Sequence, residues 1–273
     1  MGATSALSTT GRTLKRNTAL FAAAFVLTVI SLAPSGVNAL LPPVMAGLVS
    51  LLLSGVSLFV TPFFMGGLLS MADEGLSGTT RLGTFVRGGK ANYVRLLGAM
   101  VLFGVLLTVV GFVVLVVGAV VGAVVFGISA GAAGQSLAGS GVSVVFLVLL
   151  VLLGALAFLL PVFVFQFYAA AVVVSDLGIV DSFKRSAAVV RRNLVSTLGY
   201  TVVVTAAGLV TGVASASVSL FTGYGTSGTA ATEVGVAVLV PILLAVALVS
   251  TVVSAFGSVY QVAFYEDCLD SLA

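Results

Sequence analysis

The sequence predicts an all-α fold: a polytopic membrane helix bundle in which six transmembrane helices form three pseudo-repeated hairpins, within one integral membrane domain over 1–273. Three observations lead to this prediction: an apolar composition, runs of bilayer-crossing length, and an alternation of basic and non-basic connections. Of the 273 residues, 60% are hydrophobic and 7% are charged, whereas soluble domains carry about 25% charged residues. Because a soluble fold could not cover its surface with so few charges, an integral membrane protein is the class that fits.

Six apolar runs follow one another, and several exceed the roughly 20 residues that cross a bilayer as a helix. They lie at about 18–33, 38–72, 93–126, 142–174, 194–221 and 234–265. The connections 34–37, 127–141 and 222–233 hold none of the 11 basic residues, which lie in the tail 1–17, in 73–92 with Arg95 just beyond it, and in 175–193. Basic residues near span ends stay in the cytoplasm during insertion. We therefore predict a multi-pass cell (plasma) membrane protein with both termini cytoplasmic.

The first run has a competing interpretation. A basic start, an apolar stretch and the small residues Val37-Asn38-Ala39 also resemble a secretory signal with a cleavage site. Sequence alone leaves open whether this span is retained or cleaved.

The charged span ends recur in a pattern that predicts an internal repeat. The first, third and fifth spans each follow a basic residue and an asparagine, at 15–17 (KRN), 90–92 (KAN) and 191–193 (RRN). The even spans carry proline and end in acid, at 73–74, 176 and 266–267. The repeat units are then about 15–74, 90–176 and 191–267. Asparagine is a favoured helix N-cap, so we expect each of these asparagines to start a span.

Residues 178–192 (GIVDSFKRSAAVVRR) have apolar residues at helical spacing and basic residues elsewhere on the wheel. This pattern is typical of an amphipathic helix in the membrane interface. A weaker version at 80–91 predicts a second interfacial helix, after the second span. One interpretation is contact with anionic lipid headgroups or a partner protein; the other is topology determination with a short connector. The candidate contact residues are Arg87, Lys90, Arg95, Lys184, Arg185, Arg191 and Arg192.

No acid, lysine or arginine lies deep within an apolar run, which argues against an ion-coupled transporter. The deepest polar residues are Gln166 and Gln261, with Tyr168 near the same level, and they are candidates for lining a cavity. Glycine spacing in the third span (Gly104, Gly111, 118–122) and in the fifth (208–212) favours close packing between helices of the chain, or otherwise a dimer contact or pore lining.

The chain has few of the residues that catalytic and metal sites most often use. The chain has no histidine and one cysteine, so zinc and iron sites built on those ligands and Ser-His or Cys-His nucleophiles are excluded. We predict no cofactor, no metal site, no nucleic-acid partner and no enzymatic activity.

Placed between two spans, residues 181–193 (DSFKRSAAVVRRN) resemble those of a loose group of six-span prokaryotic membrane families. The group includes uncharacterised haloarchaeal membrane proteins and the membrane domain attached to some glycerophosphoryl diester phosphodiesterases. The shared pattern is an acidic span end, a short helix with a basic-Ser pair (184–186), and a basic-Asn start. The resemblance implies a fold and carries over no catalytic residue, because the phosphodiesterase chemistry belongs to a separate soluble domain.

The prediction for function is a non-enzymatic membrane protein that organises anionic lipid or a partner protein at its cytoplasmic face, either alone or as a homo-oligomer. The alternative is a permease or channel subunit for a small neutral or amphipathic solute, which requires a polar cavity near Gln166 and Gln261.

Overall fold

The computed structural model describes residues 2–131, 141–221 and 236–269, and all of the regular secondary structure within these ranges is helical. The helices are α1 (Ala3–Arg16), α2 (Ala19–Leu40), α3 (Pro43–Ser77), α4 (Leu82–Gly131), α5 (Gly141–Phe165), α6 (Tyr168–Val174), α7 (Ile179–Arg192), α8 (Leu194–Phe221) and α9 (Val236–Leu269). The predicted all-α class is confirmed.

The chain divides into two compact units, which we call the core unit (Met1–Leu97 with Phe167–Ala273) and the hairpin unit (Gly98–Gln166). In the core unit α9 is the central helix, since it contacts α1, α2, α3, α6, α7 and α8. Its C-terminal turns bury large side chains, including Tyr260, Phe264 and Tyr265, which are each 0% exposed.

The hairpin unit contains α5 and the part of α4 that follows Leu97. Its two helices meet at the ends near Phe103 and Phe165, whose rings lie edge to face with centroids 6.4 Å apart. A Cβ placed on Gly154 would lie 2.9 Å from the Val114 side chain, so the glycine permits the close approach.

Among the described residues, five helices are long and apolar enough to cross a membrane, or up to six if α1 and α2, which meet at a bend of 93°, form one span. Their outward faces carry large apolar side chains that would be unfavourable in water, for example Val195 at 84%, Val44 at 77% and Leu51 at 71% exposure. Lipid is the environment that suits such faces, and the chain is therefore a membrane protein with several apolar spanning helices.

Two predicted boundaries were wrong. The connection expected at 34–37 is helical and belongs to α2; the break comes at 41–42, immediately before Pro43. Consecutive prolines remove backbone donors and disfavour helix at the residue before them, and proline is well suited to a helix start. The separate interfacial helix expected at 80–91 does not form either, because α4 runs unbroken from Leu82 through this segment.

Three of the long helices contain a proline at the positions that the sequence predicts. The even spans do carry internal proline, at Pro62 in α3, Pro161 in α5 and Pro241 in α9. Most of the expected connection 127–141, and nearly all of 222–233, lies outside the described residues.

Candidate functional site

The charged residues that the structure describes lie in the core unit, near the starts of α2, α4 and α8 and the ends of α3 and α9; we call this region the polar end. Hydrogen bonds join distant segments here: Ser5 Oγ donates to Asp267 Oδ2 at 2.6 Å, and Tyr260 Oη donates to the Ala3 carbonyl at 3.2 Å. Both contacts attach α1 to α9. The tail expected at 1–17 is thus a docked helix.

Asn17 is the main connection between α1 and the segment that joins α3 to α4. It is 2% exposed, and its Oδ1 accepts from the Thr80 backbone N–H at 2.8 Å. Its Nδ2 donates to the carbonyls of Gly75 and Gly78 at 3.4 and 3.3 Å, and to that of Thr13 at 3.0 Å. One buried side chain therefore fixes the end of α1 against the end of α3.

The three repeated asparagines differ in position: Asn193 lies directly before α8, where its carbonyl accepts from the Thr197 N–H at 2.8 Å, and Asn17 lies two residues before α2. Their side-chain Nδ2 atoms donate to the carbonyl four residues earlier, from Asn17 to Thr13, from Asn92 to Gly88 and from Asn193 to Val189, at 3.0, 3.1 and 3.2 Å. Asn17 and Asn193 are C-caps of α1 and α7, with φ of −124° and −123°, and Asn92 lies inside α4. Asn193 therefore starts α8 as predicted, whereas the prediction was wrong for Asn92, because α4 begins ten residues before it.

Helix α7 begins after Gly178, which has extended backbone angles, and ends at Asn193. Asp181 in its first turn and the basic pair 191–192 in its last turn complement the helix dipole. One face is buried and consists of Ser182, Phe183, Ser186, Val189 and Val190.

The buried face of α7 packs on α6 and on the residue that precedes it. The Phe183 ring stacks on Tyr168 of α6, with centroids 5.2 Å apart and planes at 11°. Ser186 Oγ accepts a hydrogen bond from the Phe167 backbone N–H at 3.1 Å, which satisfies a buried donor at the start of α6. The position of α7 is thus set by specific contacts.

The opposite face of α7 bounds an open groove of about 510 Å³, which we call the α7 groove. It is lined by Leu177, Asp181, Lys184, Arg185, Ala188 and Arg192. Lys184 Nζ pairs with Asp181 Oδ1 at 3.1 Å across 73% and 64% exposed side chains, so this pair is solvated. Three cations and one carboxylate leave the groove with a positive balance.

The remaining predicted cations lie elsewhere. Arg191 is exposed beside the groove residues without lining the groove, and Arg87 and Lys90 are exposed on α4. Arg95 forms an ion pair with Asp176 and also donates to its carbonyl at 3.3 Å. Asp176 has φ of 51°, and the pair holds this corner between α6 and α7 against α4.

The predicted cavity residues have different surroundings within their own units. Gln261 lines a pocket of about 190 Å³ between α2, α3 and α9, whereas Tyr168 packs on Phe183. Gln166 belongs to the hairpin unit, where its Nε2 donates to the Phe163 carbonyl at 3.0 Å.

An acidic cleft of about 350 Å³ at the polar end was not predicted from sequence. Its charged lining comes from the ends of α3 and α9, at Asp73, Glu74, Glu266 and Asp267. Among the described residues, no group of three or more His, Cys, Asp or Glu side chains could hold a metal ion. Glu74 accepts a hydrogen bond from Thr80 Oγ1 at 2.8 Å, which ties the end of α3 to the segment that follows it.

The glycine pattern marks a different contact from the one expected. Nothing lies within 4 Å of a Cβ built on Gly104 or Gly111, and the same holds at 208 and 212. In the core unit the close approaches are between α3 and the first turns of α4, where a Cβ on Gly67 would lie 2.8 Å from the Phe85 carbonyl oxygen. In the hairpin unit a Cβ on Gly118 would make an ordinary contact with Leu150 at 3.7 Å.

A family model described as Domain of unknown function (DUF7847) matches residues 1–268. Comparison with curated proteins gives no match, and comparison with solved structures gives none either. The matched description mentions neither haloarchaeal proteins nor the phosphodiesterase-attached domain, so that resemblance stays a prediction.

Proposed function

Since the chain belongs to the DUF7847 family, whose description assigns no activity, we propose a function from the α7 groove. The protein is a non-enzymatic multi-pass membrane protein that gathers anionic lipids by binding their phosphate groups at its cytoplasmic face. The observation that supports this most is the convergence of Lys184, Arg185 and Arg192 on one groove of a helix whose other face is fixed by buried contacts.

The chemistry of the groove suits phosphate. Guanidinium groups form paired, charge-assisted hydrogen bonds with phosphate oxygens, and each basic residue near an anionic surface contributes about 1 kcal/mol. Because Phe183 and Ser186 anchor α7 to α6, little ordering of the backbone is needed on binding. Rigid sites lose less entropy when they bind.

A lipid is favoured over a soluble anion or a protein because apolar surface adjoins the basic residues. Arg192 is followed within three residues by Leu194 and Val195, which are 52% and 84% exposed, and Val180 on α7 is 57% exposed. A phosphate held at the groove would leave its acyl chains beside such side chains. The cytoplasmic orientation follows from the distribution of basic residues, and that leaflet attracts basic segments through its anionic lipids.

The test uses the full chain in nanodiscs of zwitterionic lipid doped with phosphatidylglycerol, with retained lipids counted by native mass spectrometry. The triple variant Lys184→Gln, Arg185→Gln, Arg192→Gln should weaken phosphatidylglycerol binding by about 3 kcal/mol, or on the order of a hundredfold. The matched control is Arg191→Gln, which removes the neighbouring charge outside the groove and should change binding by no more than about fivefold.

Two results contradict this proposal. Equal phosphatidylglycerol retention by the triple variant and the native chain, at equal thermal stability, would mean that the groove does not hold the lipid. A protein that co-purifies with the native chain and is lost from the triple variant, with lipid retention unchanged, would assign the groove to a protein partner.

The alternative is a permease or channel subunit for a small neutral or amphipathic solute, and the pocket at Gln261 is the observation that favours it. This pocket also has Thr61, Ser254 and Ser258 in its lining. Its volume of about 190 Å³ is below the roughly 300–1,000 Å³ of drug-sized ligand sites, so a solute of a few heavy atoms is the class that fits.

Proteoliposome swelling in glycerol measures this alternative. If the pocket conducts, swelling should exceed that of protein-free vesicles, and Gln261→Leu should return it to the protein-free rate. Swelling that matches empty vesicles, for a chain that still unfolds cooperatively, would remove glycerol-sized neutral solutes from consideration.

A further inference from the structure

Helix α1 and helix α7 share a set of features that the apolar pattern did not reveal. Each has 14 residues and a basic pair in its last turn, and each ends at an asparagine C-cap with nearly the same φ. The residues 11, 7 and 4 positions before that asparagine have small or medium side chains in both helices and are at most 5% exposed. They are Ala6, Thr10 and Thr13 in α1, and Ser182, Ser186 and Val189 in α7. The two helices therefore bury equivalent faces.

The two helices also occupy equivalent places on the core unit. Helix α7 lies on α6, the end of the preceding span, and the first turns of α4 lie on α3 through Gly67 and Gly88. Helix α1 lies on α9. Each of these three segments thus packs against the end of a long helix.

Contacts link α1, the start of α4 and α7 to one another in turn. The end of α1 is tied through Asn17 to the residues just before α4, and Arg95 near the start of α4 pairs with Asp176 just before α7. Helix α8 follows α7, and a Cβ on Gly2 would lie 3.4 Å from Ser196 Oγ of α8, which brings the start of α1 next to the end of α7.

Because α1 and α7 bury equivalent faces, the α1 residues that correspond to the α7 groove can be identified by counting back from each asparagine. The groove residues Arg192 and Ala188 lie one and five residues before Asn193, and the matching positions before Asn17 are Arg16 and Arg12, whereas Lys184 and Arg185 match Ser8 and Thr9. These two arginines are exposed and four residues apart, so they stand on one helix face. Lys15 matches Arg191, the basic residue that does not line the groove.

The direction of α1 places this face at a membrane surface. The axes of α1 and α2 differ by 93°, so α1 would run along the membrane plane if α2 is the first membrane crossing, as the sequence predicts. Its outward residues are polar or basic and include Thr4, Ser8, Arg12, Lys15 and Arg16. Two guanidinium groups at the level of the headgroups are complementary in charge to anionic lipid phosphates.

We infer that α1 carries a second binding face for the phosphate groups of anionic lipids, formed by Arg12 and Arg16 and equivalent to the α7 groove. The inference rests on the proposed function for its ligand class, and on the matched geometry of α1 and α7 for its position. The three short segments then surround the polar end, and lipid is gathered on at least two of its sides.

The experiment compares full-length chains in the phosphatidylglycerol-doped nanodiscs described above. The double variant Arg12→Gln, Arg16→Gln should weaken phosphatidylglycerol retention about thirtyfold, at about fivefold per cation, and the number of tightly held lipids should fall. Lys15→Gln is the matched control and should have at most one such fivefold effect. Because the three residues are exposed, the unfolding midpoint should stay at the native value.

The outcomes separate this inference from the proposed function. Normal retention in the Arg12, Arg16 double variant, with loss in the α7 triple variant, overturns the α1 face and leaves the α7 groove in place. Loss in the double variant with normal retention in the triple variant removes the α7 groove and keeps the α1 face. An effect of Lys15→Gln as large as that of the double variant would mean general charge attraction, which contradicts a defined face.

A final arm distinguishes the source of the phosphate. Inorganic phosphate at millimolar concentration should not displace phosphatidylglycerol from the native chain, since the acyl chains contribute apolar contacts that free phosphate lacks. Complete displacement would assign the face to a soluble phosphate and overturn the lipid assignment.

Discussion

Replacement of Asn17 by alanine is the most direct test of how the polar end is held together. The change removes the acceptor of the buried Thr80 N–H and the donor to the carbonyls of Gly75 and Gly78. Each net hydrogen bond contributes about 0.5–1.5 kcal/mol, and a buried donor left without a partner costs about 1–3 kcal/mol. We expect the free energy of unfolding to fall by about 2–4 kcal/mol.

Asn92→Ala is the matched control for this prediction. Asn92 is also buried, at 8% exposure, but its Nδ2 donates within its own helix to the Gly88 carbonyl. The loss of that bond, about 1 kcal/mol, is offset in part by the better helix propensity of alanine, about 0.5 kcal/mol. The net change should therefore stay below about 1 kcal/mol.

The assay is unfolding by sodium dodecyl sulfate in mixed micelles, followed by circular dichroism, with hydrogen exchange measured on peptides from α1 and 74–81. Asn17→Ala should speed exchange in both segments, since the end of α1 and the α3–α4 connection separate together. If the two variants lose equal stability, or if exchange rises in α1 alone, then Asn17 does not join these segments and the reasoning is refuted.

Three further predictions concern close packing, the ion pair and orientation. Gly67→Ala should destabilise the fold by about 1–3 kcal/mol, because the new methyl meets a backbone oxygen, while Gly104→Ala, which has open space, should be neutral or slightly stabilising in the same assay. Arg95→Gln should lower the free energy of unfolding by less than about 1 kcal/mol, since the ion pair of Arg95 with Asp176 is largely exposed. The stability of this variant should also depend less on salt concentration than that of the native chain. A cysteine placed at Lys184, in a chain whose native cysteine is replaced by alanine, should react with a membrane-impermeant maleimide in inverted vesicles and not in intact cells; the opposite pattern would reverse the predicted topology.

The features that the sequence predicted correctly are those with local causes. The apolar spans follow from composition, and α7 was expected at 178–192 and lies at Ile179–Arg192, because its period and its caps are written within its own residues. The internal prolines of the even spans were also placed correctly. Such features need no knowledge of what the segment packs against.

The features that were missed depend on partners far away in the chain. Gly104 and Gly111 have the spacing of a packing face, yet the tight contact lies at Gly67 and Gly88. Glycine spacing shows that a helix can pack closely against another helix, but it does not show which helix that is. The acidic cleft is similar, because Asp73 and Glu266 are separated by most of the chain and meet only when α3 packs on α9.

Helix α1 escaped prediction for a different reason, which points to the signal that could have revealed it. Its buried face is built from Ala6, Thr10 and Thr13, and threonine on a helix looks like a solvated position when hydrophobicity alone is followed. The Thr10 hydroxyl, however, donates to the Ala6 carbonyl at 2.7 Å, so its polarity is satisfied within the helix and its methyl group can pack. The chain can be aligned on its repeated asparagines. A search for small side chains 11, 7 and 4 residues before each asparagine then selects both α1 and α7. The same alignment places Phe85 at the middle position before Asn92, where the contact with α3 is made by aromatic rings, so the second segment does not share the small-residue pattern of α1 and α7.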